Sequence, residues 1–171
     1  MKRSHKLVII VLLQVFFLFG MIGFKYFTVY SGTPVLLKTA PVDPWDVFRG
    51  EYVQLNYEIS GLDSDHVEDY GMEKPGSGGS TVYVVLEQGI KYWNAVSIHP
   101  GKPEPNPGQV IIKGRLVYYD EQRQEYHVTY GIESYYVPEG EGPVLERQAS
   151  LDALVKVDRF GNAVLERVTK E

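Results

Sequence analysis

Carboxylates, histidines and tyrosines are the reactive side chains of this sequence, and their spacing decides what chemistry they could do. Three histidines follow the N-terminal segment, His66, His99 and His127. No two of them have the spacing of a helical zinc pair, and the chain has no cysteine to complete a thiolate site. Asp63-Ser64-Asp65 opens like a calcium loop, but Val67 stands where an oxygen ligand belongs and Glu68 where the turn needs glycine. No metal or other cofactor is therefore expected. The chain lacks a G-x-S-x-G elbow, a P-loop and a G-x-G-x-x-G turn. A dispersed Ser-His-Asp triad would leave no spacing signature, because such triads are defined by geometry. Glu51, Glu139 and Glu141 offer a carboxylate pair for glycoside chemistry. Acids are abundant throughout the chain after Asp43, so these three do not stand out, and no residue is singled out as catalytic.

Tyrosine is the more distinctive resource, with 13 in the chain. Tyr126, Val128, Tyr130, Ile132, Ser134 and Tyr136 share one parity, and Tyr118 and Tyr119 lie on a neighbouring apolar run. Aromatic rows of this kind stack sugars or peptide side chains, and they also stabilise sheets as cross-strand pairs. Tyr135 and Tyr136, followed by Glu139 and Glu141 in a glycine-rich break, form the candidate binding surface.

The stretch that must position these groups runs from Asp43 to Ile59. Asp43-Pro44-Trp45-Asp46 reads as a turn, since proline presets φ and aspartate bonds to nearby backbone. From Glu51 the pattern alternates, with Val53, Leu55, Tyr57 and Ile59 on one face and Tyr52, Gln54, Asn56 and Glu58 on the other. Period two predicts a half-buried strand. Glu51 has the apolar parity, and a carboxylate entering a core needs a partner. Arg49 shares that parity, and a wet position at the strand mouth is the alternative.

Gly50-Glu51-Tyr52-Val53-Gln54-Leu55-Asn56-Tyr57 resembles the signature of the GDYXXLXY family of membrane-anchored bacterial proteins, with Glu51 where the signature has Asp. Arg49, the preceding Asp43-Pro44-Trp45-Asp46 and the later block Tyr130 to Gly142 are similar to that family too. The resemblance implies Arg49, Gly50, Glu51, Tyr52, Leu55 and Tyr57 as signature positions. It also implies an anchored extracytoplasmic domain that works beside a multi-pass membrane protein. It implies no reaction.

Residues Leu7 to Phe24 form an 18-residue run whose polar side chain is Gln14, long enough to span a bilayer core as a helix. Lys2, Arg3 and Lys6 precede the run, and Lys25 follows it. The positive-inside rule then places the N-terminus in the cytoplasm and the rest outside. A cleaved signal peptide would have a shorter apolar core and a small-x-small site, whereas Lys25-Tyr26-Phe27-Thr28-Val29-Tyr30 follows here. The segment reads as an uncleaved anchor. In its apolar surroundings Gln14 either bonds to a neighbouring helix or is tolerated singly.

Formal net charge is −5, and all 22 acids lie at or after Asp43. Four of the 17 basic residues precede residue 32, so the outer part carries 13 basic against 22 acidic side chains, a net −9. That excludes a nucleic-acid partner, whose binding runs on neutralised phosphates. It predicts repulsion from anionic lipid and attraction for basic peptides, cations or a basic protein face. The absence of cysteine excludes disulfides, thiol catalysis and lipoprotein attachment.

The chain divides into a cytoplasmic start (1–6), a transmembrane anchor (7–25), a tether (26–34) and one extracytoplasmic β domain (35–171). Strands are predicted over 35–38, 51–59, 81–87, 91–98, 109–119, 125–137, 151–157 and 162–168. An acidic loop over 60–80 holds one helical turn near 65–70, a proline-rich loop spans 99–108, and a short helix falls over 144–150. The expected fold is mainly β, an antiparallel barrel or sandwich-like domain behind one N-terminal transmembrane helix. The expected function is a non-catalytic accessory subunit that binds another membrane or envelope protein. The alternative is a cell-surface hydrolase or a carbohydrate- or peptide-binding module using the Tyr rows and the Glu139/Glu141 loop.

Overall fold

The structure, a computed structural model, describes residues 3–40, 52–64, 68–69, 79–136 and 151–170. Arg49, Gly50, Glu51, Glu139 and Glu141 lie outside the described residues, as does the short helix expected over 144–150.

The apolar run becomes helix α1, Arg3–Ser31. Its described side chains from Leu7 to Gly23 are all exposed. Residues 26–34, expected as a tether, are helix as far as Ser31 and strand from Thr33. The last helical turn closes with the Gly32 N–H donating to the Thr28 carbonyl at 2.9 Å. Gly32 is required there by proximity, since a Cβ would sit 2.4 Å from that carbonyl oxygen and 3.1 Å from the Val157 nitrogen.

The strands, in chain order, are β1 Thr33–Ala40, β2 Tyr52–Gln54, β3 Asn56–Tyr57, β4 Gly61–Asp63, β5 Glu68–Asp69, β6 Thr81–Gln88, β7 Trp93–His99, β8 Gln109–Asp120, β9 Glu125–Thr129, β10 Ser134–Tyr136, β11 Leu151–Val157 and β12 Ala163–Lys170. The domain is mainly β and mainly antiparallel, with two principal sheets, one of them a nearly closed barrel. One sheet has the order β12-β11-β1-β3 and the other β4-β9-β8-β6-β7-β5, while β10 and β2 form a separate ribbon. Period-two patterning accounts for most of this. Along β8, for example, Ile112, Gly114 and Leu116 are buried between exposed Lys113 and Arg115.

Three expectations fail locally. The strand expected over 51–59 divides at Leu55 into β2 and β3 and ends in a single 3-10 turn, Glu58–Ser60. The strand expected over 125–137 stops at Thr129 and resumes as β10 on a different partner. Gly131 makes that break with a φ of 77°, a left-handed conformation that a residue with a Cβ resists. The helical turn expected near 65–70 is replaced at Glu68–Asp69 by β5, which pairs in parallel with Ser97 and Ile98 of β7. The open edge of β7 supplied backbone partners that a short polar helix lacks.

The core joins the sheets through Val35, Leu37, Leu55, Tyr57, Val84 and Ile112, with Tyr126 of β9 and Tyr130 just beyond its end.

Candidate functional site

The chain from Tyr52 to Asp63 places one strand in each of the three sheets. β2 pairs with β10, β3 with the end of β1, and β4 with β9. Leu55 is the crossing point. It is buried, and its N–H donates to the Glu133 carbonyl at 2.6 Å. The burial alternation predicted for the signature persists through the crossing, with Leu55, Tyr57 and Ile59 buried and Gln54, Asn56 and Glu58 exposed. Two changes of strand partner therefore leave the core face intact.

Two phenols lock this crossing to the later block. The Tyr57 hydroxyl donates to the Ile132 carbonyl at 2.7 Å, and the Tyr130 hydroxyl donates to the Ile59 carbonyl at 2.5 Å. The pair is reciprocal, since each segment contributes a buried phenol and an acceptor carbonyl. The break at Thr129 frees the carbonyl of Ile132 from any ladder, and the 3-10 turn does the same for Ile59. Each phenol thus satisfies a buried acceptor that would otherwise be costly. Glu133 completes the bend by accepting the Tyr130 N–H. Burial raises the ionisation of both phenols well above the ordinary tyrosine range, and the nearby Glu133 charge adds to it. Both hydroxyls are accordingly held neutral, as donors.

Of the sequence-predicted residues, Leu55 and Tyr57 meet at this crossing. Tyr52 and Tyr136 are paired backbone positions in the β2–β10 register, as are Val53 and Tyr135. Tyr135 is partly buried against the core, so it is a packing residue more than a free contact. The Tyr rows pair across β8 and β9. Tyr118 stacks on His127 with ring centroids 4.1 Å apart, and Tyr119 tilts on Tyr126 at 4.6 Å. A β-bulge between Leu116 and Tyr118 turns Val117 and Tyr118 both outward.

One feature was not singled out in the sequence. A polar cleft of about 370 Å³ is lined by Glu68, Glu87, Ser97, His99, Glu104 and Asn106, among others. Ser97 Oγ and His99 Nε2 are 2.9 Å apart. Period two puts residues 97 and 99 on one face, and this spacing was the signal available. Burial lowers the His99 pKa, with Glu68 opposing the shift, so the ring is mainly neutral near pH 7. Ser97 is only 7% exposed. Its hydroxyl is within hydrogen-bond distance of the ring at the edge of the cleft. Among the described residues, no group of three or more His, Asp or Glu is placed to hold a metal ion.

The second long-range junction is at the other end of the domain. Thr28 Oγ1, in the last turn of α1, donates to Asp158 Oδ2 at 2.8 Å, and both residues are buried. Asp158 also accepts from the Phe160 and Asn162 N–H groups at 2.8 and 2.9 Å. Burial works against its ionisation, but the hydrogen bonds from Asn162, Thr28 and Phe160 outweigh that and hold its pKa below the usual carboxylate range. The most apolar 18-residue window within Leu7–Ser31 has a mean hydropathy of 2.8, and none of that window is buried against the domain. The helix is long and apolar enough to cross a membrane.

The model of the family described as GDYXXLXY protein matches residues 14–168. No curated protein and no solved structure matches the chain.

Proposed function

Because the chain belongs to the GDYXXLXY family, we propose that it is a membrane-anchored extracytoplasmic accessory protein. It binds another membrane or envelope protein and is itself non-catalytic. In this reading α1 stays uncleaved in the bilayer, Lys2, Arg3 and Lys6 hold the N-terminus in the cytoplasm, and the β domain lies outside. One observation carries it. The exposed apolar helix passes into β1 through Gly32 alone and is bonded to the domain through Thr28 and Asp158. A removable signal segment has no need of such a bond. A helix joined this way would hold the domain in a set orientation at the membrane surface and transmit its tilt. Gln14 is exposed on α1 and offers an amide to a neighbouring helix.

The test is affinity purification of the full chain from solubilised membranes at native expression, with mass spectrometry of its N-terminus. The expected result is an intact N-terminus and a co-purifying membrane protein whose recovery falls in Gln14→Leu. A mature chain beginning near residue 32 would sink the anchor. Recovery of the chain alone from membranes would sink the accessory role.

A further inference from the structure

The turn that receives the helix carries a cationic, aromatic face. Phe160 follows Asp158 by two residues and is 45% exposed. The Arg159 guanidinium lies 4.7 Å from its ring centroid and the Lys102 ammonium 5.7 Å. Lys102 Nζ also donates to the Arg159 carbonyl at 2.6 Å, which pins the proline-rich loop to this turn. Lys113 is adjacent, since its N–H donates to the Gly161 carbonyl at 2.8 Å. The acid of the turn, Asp158, is buried and engaged by Thr28 and Asn162, so it adds no open carboxylate to this face.

Depth follows from helix geometry. The apolar run Leu7–Phe24 covers about 27 Å at 1.5 Å per residue, close to the thickness of the hydrocarbon core. Thr28 then lies roughly 6 Å beyond the core, in the headgroup layer. Tyr26 and Tyr30, on either side of it, are 69% and 85% exposed and stack on each other at 6.4 Å, in keeping with an aromatic belt. Asp158 touches Thr28, and the Cα of Phe160 can be no more than about 7 Å from that of Asp158.

The geometry points to Phe160, Arg159 and Lys102 as a foot that docks on anionic phospholipid headgroups of the membrane holding α1, with the phenyl ring entering the interface and the two cations meeting phosphate. This rests on the anchor reading given above. The net −9 of the outer chain predicts overall repulsion from such a surface, so the local cations determine which end of the domain faces it. Each cation at an anionic surface contributes about a fivefold gain in local affinity.

Because the chain has no cysteine, single nitroxide labels can be placed cleanly. The full chain is reconstituted in nanodiscs of phosphatidylcholine with phosphatidylglycerol as Phe160→Cys, Phe16→Cys and Ile90→Cys. Ile90, fully exposed, lies at the far end of the domain, where neighbouring Tyr92 bonds to Asp152. Accessibility to oxygen, which concentrates in lipid, is compared with accessibility to a water-soluble nickel chelate. The label at 16 should favour oxygen, the label at 90 should favour nickel, and the label at 160 should be protected from nickel several-fold relative to 90. Adding Lys102→Gln and Arg159→Gln, or replacing the lipid with pure phosphatidylcholine, should remove most of that protection. If nickel reaches 160 as freely as 90 while 16 stays in lipid, the foot is overturned and the anchor stands. If 16 is also aqueous, both fall. Protection indifferent to the charge changes and to the lipid overturns the assignment of anionic headgroups.

Discussion

The crossing at Leu55–Tyr57 and the helix junction at Thr28–Asp158 both join residues far apart in sequence, 75 apart for Tyr57 and Ile132 and 130 for Thr28 and Asp158. The crossing uses neutral phenols that donate to backbone carbonyls inside the core. The helix junction uses an ionised carboxylate that gathers donors from a hydroxyl, an amide and the backbone. Crossing packing is deep, so its strength comes from volume as well as hydrogen bonds. The helix junction has little volume behind it and depends on charge and hydrogen bonding. The two should therefore fail in different ways. Loss of the first should unfold the domain, whereas loss of the second should loosen the domain from the helix and leave the sheets standing.

The largest expected effect is at the crossing. Tyr57→Ala should destabilise the domain by about 3–5 kcal/mol, the range for losing a buried aromatic. Thermal unfolding of the detergent-solubilised full chain checks this, and a loss below about 1 kcal/mol would show that the crossing is not core.

Tyr57→Phe separates hydrogen bond from volume. It keeps the ring and leaves the Ile132 carbonyl buried without its donor, at an expected cost of about 1–3 kcal/mol. Alkali sharpens the point. A phenol whose pKa is raised in the folded state adds stability that is fully present below about pH 10 and is lost as pH rises through the folded value. Ultraviolet titration should find Tyr57 and Tyr130 silent until the domain unfolds, and Tyr57→Phe should flatten the alkaline loss of stability. Two buried tyrosines ionising with the rest, without unfolding, would break the contrast.

At the helix junction Thr28→Val keeps the shape and removes one of several donors to a buried carboxylate, for an expected cost of about 1.5 kcal/mol, the low end for a hydrogen bond to a charged group. The pH dependence has the opposite sign. A carboxylate whose pKa is lowered in the folded state adds stability that is present above about pH 4 and is lost as pH falls through the folded value. Asp158→Asn should reduce the acid-side loss of stability and leave the alkaline side unchanged. In amide hydrogen exchange, Thr28→Val should raise exchange around 158–162, and at Lys113, whose N–H is bonded to Gly161, and spare β6. Equal loosening of β6 would mean the two junctions are one cooperative unit.

The smallest effect lies outside both. Tyr118→Ala removes an outward stack on His127 and should cost about 0.5 kcal/mol, as cross-strand pairs do. A cost as large as that of Tyr57→Phe would mean that the outer Tyr row contributes to the core.

Residue periodicity alone determined much of this molecule. The apolar run Leu7–Phe24 specified a long exposed helix, because a helix so continuously apolar must meet an apolar phase. Alternation specified the hairpins β6–β7 and β11–β12 and the inward face of Leu55, Tyr57 and Ile59. It did so because a side-chain period of two is a local property. Which backbone each strand joins is not local, and the tertiary structure decided it. Leu55 became a crossing because the end of β1 and the separate β10 both needed partners. Glu68–Asp69 became a strand because β7 had a free edge. Tyr130 and Tyr57 became reciprocal donors because bends elsewhere left the carbonyls of Ile59 and Ile132 buried and unpaired. Thr28 and Asp158 read separately as a helix-end hydroxyl and a turn acid. Only the packing of α1 against β11 and β12, which buries both, made them a pair, because a buried carboxylate must collect donors from whatever the fold brings within reach.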